Sequence, residues 1–126
     1  MKKLVFLLII FILMVIYHEK ILDQVEEYTD KHREAGWAPK VEYYIGNFYY
    51  YTTKYDKAIE IYEWILYTYK KSDYADDAQY MQARCYENQR DFAKAMAAYR
   101  KFLGTYPKSE WVNKAQTNLE NLELRN

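Results

Sequence analysis

The chain writes one pattern twice. Residues 37–73 and 74–110 align without a gap at an offset of 37 and share 11 identities, including Tyr43 with Tyr80, Tyr49 with Tyr86, Ala58 with Ala95, Tyr62 with Tyr99 and Ser72 with Ser109. The pattern then starts a third time, with Trp111 on Tyr74 and Ala115-Gln116 on Ala78-Gln79. A unit of this length is one supersecondary element that buries its apolar face only by stacking on its neighbours, so the repeat region has to be an array.

Within each unit the apolar residues recur at helical spacing in two blocks. The first unit is expected to hold helices over about Pro39 to Thr52 and Tyr55 to Tyr69, and the second over about Asp76 to Gln89 and Phe92 to Tyr106. So short a turn forces the paired helices close together, which demands small residues where the backbones meet. Gly46 with Ala58, and Ala83 with Ala95, are the residues of that kind. Tyr49, Tyr62 and Ile65, then Tyr86, Tyr99 and Phe102, fill the space on either side, and Leu66 and Leu103 close the bottom. The predicted architecture is all-α: an amino-terminal helix and stalk, two helical hairpins over 37–73 and 74–110, and a capping helix over 110–126, the repeat domain as a whole spanning 37–126.

The amino terminus is a different material. "MKKLVFLLIIFILMVIY" sets two lysines before 14 apolar residues, Leu4 to Tyr17. At about 1.5 Å per residue this run makes ~21 Å of helix, shorter than a hydrocarbon core of ~30 Å. Signal-peptide cores have this length, but cleavage needs small residues before the cut, and none occurs between Met14 and Glu34. Residues 1–17 are therefore read as an uncleaved signal anchor, lengthened by Ile21 and Leu22, with Lys2 and Lys3 at one interface and Tyr17 and His18 near the other. The residues after the run, 18–36, carry six acids against three Lys and Arg. This bias predicts a cytoplasmic amino terminus and a body across the membrane. Residues 18–34 lack Gly and Pro and place Ile21, Leu22, Val25 and Tyr28 along one side of a helical stalk that stops at "AGWAP".

Charge and chemistry exclude more than they offer. Lys plus Arg and Asp plus Glu both number 18, so no basic excess exists to neutralise phosphates, and no nucleic-acid partner is expected. Sixteen tyrosines against three glycines and two prolines are too aromatic for a disordered chain. The single cysteine, Cys85, excludes an internal disulfide and is read as a small buried apolar residue, with a reactive thiol as the alternative. His18 and His32 match no metal or haem motif; His18, just past the apolar run, is the one candidate ligand for a third reading, a cofactor-holding subunit of an electron-transfer complex. The repeat region has no histidine, and its paired acids Asp76-Asp77 suit an amino-terminal helix turn. No enzymatic activity, catalytic residue, cofactor, metal or small-molecule substrate is expected.

At "YYIGNFYYYTTKYDKAIEIY" and "YMQARCYENQRDFAKAMAAY" the chain resembles the tetratricopeptide (TPR) repeat family. Its pattern is a small residue with an aromatic three on in the first helix, then an aromatic opening the second helix, alanine three on and an aromatic four beyond. "GTYPKSE" supplies the closing proline at Pro107, whereas Glu42 and Gln79 stand where the family often has tryptophan, and Lys70 where it has proline. The 37-residue spacing and "YPKSEWVNKA" look most like the TPR proteins of the bacterial envelope, such as outer-membrane assembly lipoproteins and the Tol-Pal coordinator, without their lipid-bearing cysteine.

The resemblance implies a groove lined by the first helix of each unit. Its positions fall on Lys40, Tyr43, Asn47, Tyr50 and Tyr51, then on Asp77, Tyr80, Arg84, Glu87 and Asn88. Tyr43, Tyr50 and Tyr80 are expected to line one exposed patch for a protein partner, and Tyr44, Phe48 and Trp64 form a second aromatic face. The alternative is that these tyrosines pack against their neighbours. The implied function is a membrane-anchored scaffold for protein interaction, an accessory subunit of a larger membrane or periplasmic assembly, with a soluble periplasmic adaptor released by signal peptidase as the runner-up.

Overall fold

A computed structural model describes residues 1–125. Among these the chain forms six helices and no strands: α1 (Lys2–Lys31), α2 (Ala38–Tyr51), α3 (Tyr55–Thr68), α4 (Ala75–Asn88), α5 (Phe92–Thr105) and α6 (Val112–Arg125). The hairpin helices begin and end within one residue of the positions read from the repeat. Two compact units result, Met1–Ala38 and Pro39–Asn126.

In the first unit, α1 is one uninterrupted helix of 30 residues, about 45 Å long. The change from apolar to charged side chains after Tyr17 does not break it, because helix continuity depends on the backbone and neither Gly nor Pro occurs before Gly36. Every side chain from Leu4 to Tyr17 is exposed, so no described part of the chain covers the apolar run. By length and composition α1 is able to cross a membrane. Its last turn is tied by the Thr29 hydroxyl, which donates to the Val25 carbonyl at 2.7 Å, and by a Lys31 to Glu27 ion pair at 2.7 Å.

The second unit is built from hairpins α2–α3 and α4–α5, with α6 packed on α5. Ala58, Tyr62 and Ile65 of α3 and Ala95, Tyr99 and Phe102 of α5 are fully buried. Leu119, Leu122 and Ala115 of α6 join the core cluster around Tyr99 and Phe102, with Val112 packed against it, while the other residues of α6 are polar except the exposed Leu124. Both hairpin turns use the same device. Thr53 and Arg90 adopt φ of 63° and 61°, and the following amides, Lys54 and Asp91, reach back to the carbonyls of Tyr49 at 2.8 Å and Tyr86 at 3.0 Å. A left-handed residue followed by a six-to-one bond is how helices end on glycine; here the chain does it with side chains present.

The positions where tryptophan was absent prove to be interior. Glu42 and Gln79 are both buried. Gln79 Nε2 donates to Gln82 Oε1 at 3.2 Å, and Gln82 Nε2 donates to Glu63 Oε1 at 3.1 Å, so polar side chains satisfy one another where the helices of successive units meet.

Candidate functional site

The first helices α2, α4 and α6 lie side by side on one face, and their polar side chains are joined across it. Asn88 of α4 donates through Nδ2 to the Tyr50 hydroxyl of α2 at 3.0 Å and to its own helix at the Arg84 carbonyl at 2.9 Å. Arg84 faces the Tyr80 hydroxyl at 3.5 Å and the Glu87 carboxylate at 3.8 Å. Asn118 of α6 donates to the Tyr99 hydroxyl at 2.9 Å and lies 3.5 Å from that of Tyr80. One network therefore spans three first helices.

The second helices feed the same surface from below. Tyr62 and Tyr99 are core residues by ring burial, yet a phenolic hydroxyl needs a partner when its ring is buried. Each hydroxyl emerges on the face of the first helix: Tyr62 donates to Asn47 Oδ1 at 2.7 Å, and Tyr99 donates to Glu87 Oε2 at 2.6 Å. Burial pushes both phenols above their ordinary range, so they act as fixed neutral donors. Asn47 and Glu87, read as groove residues, are thereby held in one orientation from the interior.

Of the other expected groove residues, Lys40 is exposed at the start of α2 and Tyr51 is 77% exposed with its ring edge-on to Tyr50, centroids 5.2 Å apart. Tyr43 is half-buried between Tyr74 at 5.5 Å and Tyr62 at 6.3 Å, and burial raises its pKa. Asp77 Oδ1 accepts the Trp111 indole N–H. Its carboxyl is raised by burial, an effect opposed by that hydrogen bond and reinforced by Asp76 and Glu110.

Tyr80 corrects the expectation of an exposed patch with Tyr43 and Tyr50. It is 2% exposed and stacked flat on Trp111, centroids 4.8 Å apart and planes within 10°. Trp111 opens the third unit at the Tyr74 position, and its larger ring covers Tyr80 more completely than Tyr74 covers Tyr43. Tyr80 is core. Of the residues expected to form a second aromatic face, Tyr44 and Phe48 are exposed on α2, and Trp64 on α3 has Tyr67 as its ring neighbour at 6.3 Å.

Sequence reasoning missed Asn118 and Arg125. A shallow recess of about 520 Å³ is lined by Glu87, Asn88, Arg90, Phe92 and Arg125. Arg125 lies one further offset of 37 beyond Asn88, so carrying the groove register into α6 finds it. Asn118 follows no groove register and answers to the buried hydroxyl of Tyr99 instead.

Search of curated proteins gives no match to this chain. A family model described as tetratricopeptide repeat matches residues 77–109, which run from the first turn of α4 to the turn after α5. Repeats of this family generally mediate protein–protein interaction. The same hairpin stands immediately before the matched segment at the same offset, and with it the match supports a tetratricopeptide-repeat protein.

Proposed function

We propose that this chain is a non-catalytic, membrane-anchored scaffold that holds a protein partner on the faces of α2, α4 and α6, as an accessory subunit of a larger membrane or periplasmic assembly. The observation that carries the reading is the network joining Tyr50, Asn88, Arg84, Glu87 and Asn118, beside the exposed ring of Tyr51. Polar groups held in place before binding lose little freedom on contact, and an exposed tyrosine offers a large ring with a hydroxyl handle. Lys40, Tyr43, Asn47, Tyr50, Tyr51, Asp77, Arg84, Glu87 and Asn88 make up the proposed contact set, with Tyr44, Phe48 and Trp64 as a second face.

Residues 1–17 serve in this reading as the anchor, 18–36 as the stalk and 37–126 as the interaction domain, with the amino terminus cytoplasmic and the repeats periplasmic in a bacterial inner membrane. The exposed apolar run of α1 and the lysines before it support this arrangement. Three measurements test it together. The intact mass is expected to include Met1, carbonate is expected to leave the chain in the membrane, and protease is expected to reach the repeats only from the periplasmic side. A mature chain beginning near residue 18 or later turns the reading into the soluble adaptor. Purification from native membranes is expected to bring a defined subunit that is lost from a Tyr51→Ala, Asn88→Ala double variant.

A further inference from the structure

The end of α1 is a copy of the ends of α3 and α5. These helices stop at Lys31, Thr68 and Thr105, and the next ones begin at Ala38, Ala75 and Val112, each set spaced by 37. The turns between them make the same backbone bonds. Ala35 N–H reaches the His32 carbonyl at 2.8 Å, as Ser72 reaches Tyr69 at 2.9 Å and Ser109 reaches Tyr106 at 3.1 Å. Ala38 then reaches Ala35 at 3.0 Å, as Ala75 reaches Ser72 at 3.2 Å and Val112 reaches Ser109 at 3.3 Å. In the register of the repeat, residues 18–31 thus fall where a second helix falls in each later unit.

This register sets Ile21, Val25 and Tyr28 on Ala58, Tyr62 and Ile65. Those three are fully buried in α3, where a second helix packs on the first helix of its own unit. The residues before position 18 continue the same unbroken helix and do not fold back, so among the described residues no first helix of its own unit lies against this stretch of α1. Ile21, Val25 and Tyr28 are accordingly 52%, 36% and 58% exposed.

The same residues also form a heptad seam. With His18, Val25 and His32 at a and Ile21 and Tyr28 at d, the charged residues Glu19, Lys20, Asp23, Glu26, Glu27 and Asp30 all fall at b, c and f, facing away from the seam; only Lys31 lies on a flank, at g. Carried back into the apolar run, the a and d positions are Leu4, Leu7, Phe11 and Met14, with no interruption. An acidic stretch that keeps its seam free of acid is able to meet an identical stretch without repulsion, because the like charges of two copies then point apart. Two copies held by the same anchor enter the membrane in the same direction, which makes the pair parallel and brings each residue opposite itself.

We propose that α1 is a parallel pairing helix, and that a second copy of this chain covers Ile21, Val25 and Tyr28. The parallel direction rests on the membrane reading above, which carbonate extraction tests separately. The full chain is examined in membranes with single cysteines at Ile21, Val25 or Tyr28, and at Asp23 or Glu27 as outer-face controls, under mild oxidation; the parent chain, with its buried Cys85, gives the background. Disulfide-linked dimers are expected from positions 21, 25 and 28 and not from 23 or 27. The unsubstituted chain in mild detergent is expected at twice its mass of 15.4 kDa, falling to the single-chain mass in Val25→Glu with helical content unchanged. A monomeric parent chain, or equal cross-linking from all five positions, overturns the proposal even where carbonate extraction shows the chain to be anchored.

Discussion

A methyl group built on Gly46 would stand 2.6 Å from Cε1 of Tyr62, inside van der Waals contact. Tyr62 is fully buried and tethered through its hydroxyl to Asn47, so its ring has no free direction in which to yield. Gly46→Ala gains up to about 1 kcal/mol of helix propensity but overpacks a filled site, which typically costs about 1–3 kcal/mol. Net destabilisation is expected, read as a lower melting temperature by circular dichroism. Ala58→Leu and Ala95→Leu, at fully buried sites on the partner helices, are expected to lose about 1–3 kcal/mol by the same mechanism. Unchanged melting in all three variants would mean that the hairpins do not pack in this register.

The hairpin turns leave stability to be gained. A residue with a Cβ in the left-handed region is strained by roughly 1–2 kcal/mol, and glycine relieves this at a cost of about 0.5–1 kcal/mol in the unfolded chain. Thr53→Gly is expected to raise stability by a few tenths to about 1 kcal/mol, more than Arg90→Gly does, because threonine is β-branched. Thermal denaturation of the two variants checks this. A fall in melting temperature for both would show that neither turn is left-handed.

Groove variants separate binding from folding. Tyr51→Ala and Asn88→Ala alter exposed side chains, so they are expected to leave melting within about 0.5 kcal/mol of the parent while partner retention is lost. Tyr80→Ala removes the ring stacked on Trp111 and is expected to cost about 3–5 kcal/mol, in the range for truncating a buried aromatic. Retention of the partner by a folded Tyr51, Asn88 double variant would move the contact to Tyr44, Phe48 and Trp64.

These two outcomes also mark how far the sequence could be read. Helix limits were legible because the 37-residue offset fixes each hairpin by comparison with the other, and small residues at positions 46, 58, 83 and 95 fix the contact line. Tyr43 and Tyr80 are the same letter at the same register, yet one is half-buried and the other is core. The difference lies in their ring neighbours from the next unit: Tyr74 is tilted 39° against Tyr43, whereas Trp111 lies flat on Tyr80. Side-chain cover across units is a tertiary property, and so is the placing of Asn118 under the hydroxyl of Tyr99.

Asp77 gives a pH dependence with a definite sign. Its carboxyl is raised, by burial first, so in the folded chain it holds its proton at pH values where the unfolded chain has released it. Its contribution is therefore fully present below the ordinary aspartate range and is lost as pH rises through the folded value. Asp77→Asn keeps an oxygen acceptor for the Trp111 indole without the charge. The stability difference between parent and variant, followed by urea denaturation from pH 7 to pH 4, is expected to shift towards the parent as pH falls. A difference independent of pH would remove Asp77 as the source.

Cys85 is buried, and its thiol is pushed up to about 12 by that burial. Alkylation at pH 8 requires thiolate and access, so iodoacetamide is expected to label the folded chain far more slowly than the chain in denaturant. Equal rates in the two states would place Cys85 at the surface.

An α-helix without a hinge behaves as a screw. Each residue inserted between Tyr17 and His18 would advance everything beyond it by about 1.5 Å and turn it by about 100°, whereas seven residues bring the face round to within about 20° of its starting azimuth. In α1, which runs unbroken from Lys2 to Lys31, the angular setting of Ile21, Val25 and Tyr28 is thus fixed by the number of residues below them. The length of the apolar run is a phase as well as a depth.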